Sequence, residues 1–247
     1  MLYMRALSEK EGEIMKALII SGTNHKGSTY SIGRMLAEKV TKPENISEVF
    51  LPCDFDEFCC GCTNCFVKGE DKCPHYEKLR PITEKTDAAD LIILTSPVYV
   101  YHATGQMKAL LDHYGYRWMA HRPDERMFRK QAVVVSTAAG AGVKSALKDM
   151  ADSTFFWGIP RTYKLGKPIR AVSWEAVTPK MKQAFEKQTD SLAAKIKRNA
   201  GKKSVPLKTA AFFRLMAMIQ KNGWNEADKK YWTDKGWTSG KKPWKQG

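Results

Sequence analysis

Five short apolar segments, alternating with stretches of helical spacing, constrain the fold of this chain more than any other feature. We predict strands at residues 16–21, 48–51, 90–95, 131–137 and 161–165. Apolar runs of this length are typical of strands buried on both faces of a parallel sheet. Between the first two, residues 28–40 place Ile32, Met35 and Leu36 on one helical face. The alternation predicts an α/β fold, a doubly wound parallel five-stranded sheet with helices on both sides.

The remaining segments define the expected domain organisation. Further helices are predicted at 76–89, 104–114, 143–157 and 179–197, the first interrupted near Pro81 because proline lacks a backbone N–H. Residues 14–200 are therefore expected to form one domain, with 201–247 as a C-terminal extension. Residues 1–13 are expected to be a leader outside the fold, because charges break its apolar residues and no signal peptide is recognisable. No apolar run approaches the ~20 residues of a membrane span.

Three of the predicted strands end in loops of small and hydroxyl-bearing residues, at 21–28, 96–102 and 136–142. Right-handed crossovers place all three loops at one sheet edge, where ligands of such folds bind. The first loop precedes a helix, whose N–H groups and dipole favour an anion. It matches neither G-x-G-x-x-G nor G-x-x-x-x-G-K-[ST], and taken alone it is equally compatible with a plain turn. Together the loops predict a site for a flat, phosphorylated cofactor.

All six cysteines of the chain lie between residues 53 and 73, in a loop where Gly61 and Gly69 supply backbone freedom. Four have the spacing Cys-x2-Cys-x2-Cys-x7-Cys, namely Cys59, Cys62, Cys65 and Cys73. Such spacing wraps thiolates around an iron–sulfur cluster, and zinc uses similar spacing. Cys53 and Cys60 are left out of the set, because adjacent Cys59 and Cys60 point apart. Cluster, zinc and free thiols remain open, and a reducing, cytoplasmic location is expected.

The positive charge is concentrated at the C-terminal end. The chain carries a net charge of +15, and residues 180–247 hold 17 Lys and Arg against 5 Asp and Glu, or 17 − 5 = +12. The extension also contains an apolar helical stretch at 210–220. Its aromatic residues include Trp224, Tyr231, Trp232, Trp237 and Trp244. Nucleic acid or an anionic surface would suit this charge. We expect instead that the extension docks on its own domain or on a neighbouring subunit, where its aromatic end could also wall the cofactor pocket, since bare apolar surface is unfavourable.

Several motifs resemble the flavodoxin-like NAD(P)H-dependent FMN reductases. They are the loop from Gly22 to Gly27, the segments Thr95-Ser-Pro-Val-Tyr99, Gly105-Gln-Met-Lys108 and Asp112-His-Tyr114, and Ser136-Thr-Ala-Ala-Gly140. The segment Phe58–Cys65 with Cys73-Pro74 resembles the iron–sulfur flavoprotein branch. The resemblance spans about residues 15–166. It implies sheet order 2-1-3-4-5, FMN at the strand ends, and a homodimer or homotetramer in which a neighbouring subunit helps to cover the flavin.

By position, the resemblance also implies the cofactor contacts. The phosphate would be held by Ser21, Thr23, Ser28 and Thr29, with Lys26 supplying the charge of an arginine found in many relatives. The ribityl chain and ring would be lined by Ser96, Pro97, Val98, Tyr99, Thr137, Ala138, Ala139 and Gly140. FMN itself carries the redox chemistry, so no catalytic side chain is expected. His102 and His113 are expected to pack or to hydrogen-bond.

The predicted function is therefore electron transfer from NAD(P)H through FMN to a small-molecule or protein acceptor, with a possible [4Fe-4S] cluster at the four cysteines. A zinc-containing nucleic-acid-binding protein that uses the basic extension is the competing interpretation. That alternative leaves the three cofactor-like loops without a role.

Overall fold

A computed structural model describes residues 15–223 and 225–245, so the expected leader at 1–13 and Trp224 lie outside the described residues. Five parallel strands form one sheet in the order β2-β1-β3-β4-β5. They are β1 Ala17–Ser21, β2 Ile46–Phe50, β3 Leu91–Thr95, β4 Gln131–Ala138 and β5 Arg161–Pro168. The predicted fold class and strand order are confirmed. β2 begins two residues earlier than predicted, and β5 extends three residues further.

Helices cover both faces of the sheet. They are α1 Ser28–Val40, α2 Asn64–Val67, α3 Tyr76–Ala88, α4 Gly105–His113, α5 Val143–Phe156, α6 Pro179–Asn199, α7 Leu207–Asn222 and α8 Glu226–Asp234. Alternate strand residues face opposite sides, so Leu18 and Ile20 join the core beneath α3, α4 and α5, while Ile19 joins the core beneath α1 and α6. No helix in the described part of the chain is long and apolar enough to cross a bilayer.

The expected interruption near Pro81 is wrong, because α3 continues through this residue. Pro81 cannot donate to the carbonyl of Glu77, one turn earlier. Both residues are exposed, so water can satisfy that carbonyl at the outer surface of the helix. The buried side chains of α3, Leu79 and Ile82, still pack against the sheet.

The C-terminal extension packs on the domain through a third apolar cluster. Its buried members are Met119, Phe128, Phe213, Met216, Trp232, Trp237 and Trp244. Met119 and Phe128 come from the segment between α4 and β4, whereas the other five belong to the extension. Docking of the extension on its own domain is thus confirmed for these residues. Buried indoles are unavailable for stacking on bases, so this arrangement does not support the nucleic-acid alternative.

Candidate cofactor cleft and cysteine loop

The three predicted loops meet in a cleft of about 140 Å³ at the carboxyl edge of the sheet. Eight predicted site residues line it: Thr23, Ser28, Thr29, Pro97, Val98, Thr137, Ala138 and Ala139. The first and third loops are joined directly, because the hydroxyls of Thr29 and Thr137 lie 2.5 Å apart. The cleft therefore unites residues more than a hundred positions apart in the chain.

One end of the cleft is suited to an anion. Gly27 is the N-cap of α1 and offers no side-chain hydrogen bond, and the first N–H groups of a helix have no acceptor within it. Ser28 and Thr29, at that first turn, are 8% and 5% exposed and line the cleft. Backbone donors and two hydroxyls thus converge where the helix dipole favours negative charge.

Five predicted contacts do not line the cleft: Ser21, Lys26, Ser96, Tyr99 and Gly140. The Ser96 hydroxyl is buried and accepts a hydrogen bond from the Thr104 N–H at 2.9 Å, so it stabilises the second loop. The Lys26 ammonium lies 5.5 Å from the ring centres of Tyr30 and Phe50. Tyr99 pairs with His102 through the backbone. Contact of these five side chains with a cofactor stays a prediction.

Other lining residues were not predicted. Ile169, Ala171 and Val172 follow β5 and close one side of the cleft, and His25, Gly27 and Tyr30 add to the α1 side. The sequence contained a signal for Ile169, Ala171 and Val172, because they follow β5, which pairs with β4, and ligands of such sheets bind at the carboxyl ends of the strands. They were missed because 169–172 has none of the small-residue pattern of the other loops.

The rim of the second loop is apolar and strained. Val100 and Tyr101 are 93% and 65% exposed, with φ values of 46° and 68°. Positive φ is unusual for a β-branched residue and costs of order 1–3 kcal/mol. A Cβ on Gly142 would lie 2.9 Å from the Tyr101 Cα, so the third loop packs tightly against this turn. The structure therefore holds apolar side chains outward beside the cleft.

The two predicted histidines have structural partners. His102 Nδ1 lies 3.0 Å from a carboxylate oxygen of Asp149. His113 is buried, and its Nδ1 lies 2.7 Å from the Ala109 carbonyl. Neither lines the cleft, in agreement with the expectation that both pack or hydrogen-bond.

The cysteine loop follows β2 at the same sheet edge. Gly61 and Gly69 adopt φ values of 69° and 121°, which confirms their expected use in tight turns. Cys65 and Cys73 are partly buried, and the other four cysteines are exposed. No disulfide joins any two of the six. Cys65 lies in the one-turn helix α2, so its backbone is more restrained than that of Cys59 or Cys62.

The four spaced cysteines influence one another electrostatically. Burial, together with the neighbouring Cys73, Cys59 and Cys62, raises the pKa of Cys65 to about 11. Burial also raises the pKa of Cys73, with smaller contributions from Cys62 and Cys59. A bound cation would relieve this mutual repulsion of thiolates. Among the described residues, no three of these sulfurs lie within 4.8 Å of one another, whereas a single zinc with Zn–S of about 2.3 Å holds them closer.

A different donor set surrounds Cys73. Its sulfur and nitrogens of His75 and His113 all lie within 4.8 Å of one another. His75 Nδ1 is 2.9 Å from His113 Nε2, and His75 Nε2 is 3.6 Å from a Glu57 carboxylate oxygen. Burial lowers the pKa of His113, which favours the neutral, ligating form. Sequence spacing missed this set, because His113 lies on α4, far from the loop in sequence.

Comparison with known proteins decides the family. The family described as NADPH-dependent FMN reductase matches residues 15–166. The chain belongs to this family. It is accordingly an oxidoreductase that uses FMN and NAD(P)H. An iron-sulfur flavoprotein of Archaeoglobus fulgidus is 26% identical over 235 residues, covering 90% of this chain and 99% of that protein.

Further similarities of this FMN reductase agree with that assignment. An iron-sulfur flavoprotein of Methanocaldococcus jannaschii is 36% identical over 101 residues, 40% of this chain and 51% of that protein. The FMN-dependent NADH-azoreductase of Bacillus anthracis, solved in complex with FMN, shares 14% identity and a TM-score of 0.56 over 74% of this chain and 99% of its own. The last similarity shows the flavodoxin-like fold alone.

The cleft of this FMN reductase fits the polar end of FMN. Its donors at the start of α1 suit a phosphate, and its volume of about 140 Å³ suits the phosphate and part of the ribityl chain. Contact of individual side chains with FMN remains a prediction.

Proposed function

We propose that this FMN reductase takes a hydride from NAD(P)H and releases its two electrons singly, through an iron–sulfur cluster, to two equivalents of a one-electron acceptor. One observation carries the proposal. β1 and β2 are neighbours with Ser21 paired to Phe50, so the phosphate loop after β1 and the cysteine loop after β2 leave the sheet side by side. Two relatives are named iron-sulfur flavoproteins, which supports a protein that holds both groups.

The residues of the cleft have binding roles in this proposal. Backbone N–H groups at Ser28 and Thr29 would hold the phosphate, Pro97 and Val98 would pack along the cofactor, and residues 137–139 would border the ring. FMN supplies both hydride acceptance and one-electron release. The protein orients the ring and limits the access of water, so no side chain acts as a nucleophile or general base.

The cluster would be bound by Cys59, Cys62, Cys65 and Cys73. Two of these cysteines are exposed and two are half-buried, so a cluster held by them would be close to the surface, where an acceptor protein or small molecule could approach. The exposed apolar rim at Val100, Tyr101 and Val172 suits coverage by a second copy of the chain. A homodimer or homotetramer is therefore part of the proposal.

Anaerobic purification and reconstitution test the cluster assignment. We expect flavin absorbance together with iron and sulfide close to four of each per FMN. Cys59→Ser should lose most of the iron while it retains FMN, whereas the adjacent, exposed Cys60→Ser serves as the matched control and should keep both. Absence of iron from the wild type, or loss of iron in the Cys60 variant alone, would contradict the assignment. Zinc in place of iron would favour the set around Cys73, His75 and His113.

A further inference from the structure

An arginine from a distant part of the chain forms hydrogen bonds to the backbone of the cysteine loop. Arg122 lies between α4 and β4, and its guanidinium donates hydrogen bonds to the carbonyls of Cys65 and Phe66, the latter at 2.9 Å. Both carbonyls belong to α2, which has only four residues. The last four carbonyls of a helix have no N–H partner within it, so those of α2 depend on donors outside the helix. Arg122 is the donor for two of them.

The C-terminal extension holds Arg122 in place. The same guanidinium forms an ion pair with Asp228 of α8, and the Asp228 side chain is fully buried. The carboxylate also accepts a hydrogen bond from Asn225 Nδ2 at 2.8 Å and lies 2.8 Å from His121 Nδ1. These partners fix the position of the Asp228 carboxylate, because moving it would leave a buried charge unpaired, which is costly.

A second contact reinforces the connection between the extension and the loop. The Phe66 ring packs against the His121 imidazole, with ring centres 4.7 Å apart. The His121 carbonyl accepts a hydrogen bond from Trp232 Nε1 of α8 at 2.5 Å. Residues 121 and 122 therefore contact the cysteine loop on one side and the extension on the other.

We infer that the C-terminal extension is a positioning element for the third cluster ligand. Asp228 orients Arg122, and Arg122 fixes the backbone of Cys65, so that the Cys65 sulfur is held for metal binding before the cluster arrives. The inference rests on the proposed function, since it assigns the extension to the same cysteine site. Asp228 and Arg122 act through Cys65 and are positioning residues.

Two variants and a matched control test this inference on the full chain. Asp228→Asn removes the charge that pairs with Arg122. Arg122→Lys keeps a cation beside Asp228 but lacks the planar fork that reaches two carbonyls. Asp234→Asn is the control, because Asp234 lies on the same helix, is exposed and pairs only with Lys230 among the ion pairs seen.

The measurement is the rate of iron loss to a ferrous chelator, with retained FMN and circular dichroism as the check on folding. Changes in the outer shell of a metal site cost about 10–100-fold in metal affinity, so we expect iron loss about tenfold faster in Asp228→Asn and Arg122→Lys, and unchanged in Asp234→Asn. Folded variants that keep iron at the wild-type rate would overturn the inference. If Asp228→Asn does not fold, Arg122→Lys decides.

Alkylation of the metal-free chain separates this inference from the proposed function. Cys65 is partly buried and Cys53 is exposed, so mass spectrometry can follow Cys65 relative to an internal reference. We expect alkylation of Cys65 relative to Cys53 to rise severalfold in Asp228→Asn, because a cysteine backbone released from Arg122 opens locally more often. A wild type that binds no iron would defeat the proposed function, while this readout still decides the inference. An unchanged ratio in the folded variant would refute the positioning role.

Discussion

Trp232→Ala removes the central side chain of the third apolar cluster and should destabilise the protein strongly. Trp232 is 0% exposed. Its ring stacks on Phe213 with centres 4.9 Å apart and meets Trp237 edge-on at 5.1 Å. Its indole N–H donates to the His121 carbonyl. The substitution therefore removes packing, ring contacts and a hydrogen bond together.

The magnitude follows from the buried area. A buried tryptophan covers about 200 Å², and about 25 cal/mol per Å² gives about 5 kcal/mol for its complete removal. The alanine that remains retains part of this, while the cavity adds a cost, so large-to-small changes of this kind fall at about 3–5 kcal/mol. We expect a loss of about 4 kcal/mol in the free energy of unfolding, a large part of the usual 5–15 kcal/mol.

Urea unfolding followed by circular dichroism measures this loss at fixed FMN concentration. Met218→Ala is the matched control, because Met218 lies on α7 of the same extension and is 63% exposed. Its substitution should change stability by no more than about 0.5 kcal/mol. A loss below about 1 kcal/mol for Trp232→Ala, with the slope unchanged, would show that the extension does not pack on the domain as described.

Two further predictions concern the sheet edge and acid stability. Gly166→Ala places a Cβ 2.2 Å from the Ser136 carbonyl oxygen and should lower the free energy of unfolding in urea by about 1–3 kcal/mol. In the control Gly140→Ala the new Cβ meets nothing within 4 Å, so this variant should be nearly neutral. Equal effects of the two substitutions would contradict this prediction. Burial opposes ionisation of Asp124, but the hydrogen bonds from Arg126 and the charge of the nearby Arg117 together outweigh it and lower the Asp124 pKa to about 2. This contribution to stability is therefore present above about pH 4 and is lost as pH falls toward 2. Asp124→Asn should therefore lower the free energy of unfolding by about 2 kcal/mol near neutral pH, and the two proteins should become equally stable near pH 2. A stability difference that stays constant with pH would refute this prediction.

The sequence by itself determined the elements with local signals. The apolar spacing of α1 predicted residues 28–40, which are its observed bounds, because helical periodicity is contained within the segment. The apolar runs predicted all five strands to within a few residues, and the small-residue loops predicted most of the cleft. The resemblance supplied the strand order, which neighbouring residues alone do not encode.

Only the tertiary structure decided which distant groups meet. Nothing near Asp228 in the sequence indicates that it pairs with Arg122, 106 positions earlier, and nothing near His113 indicates that it faces Cys73. The continuity of α3 through Pro81 likewise depends on which face of the helix is exposed. Contacts of this kind depend on how the cores pack, and a buried carboxylate or imidazole takes its partner from the other elements that the fold brings beside it.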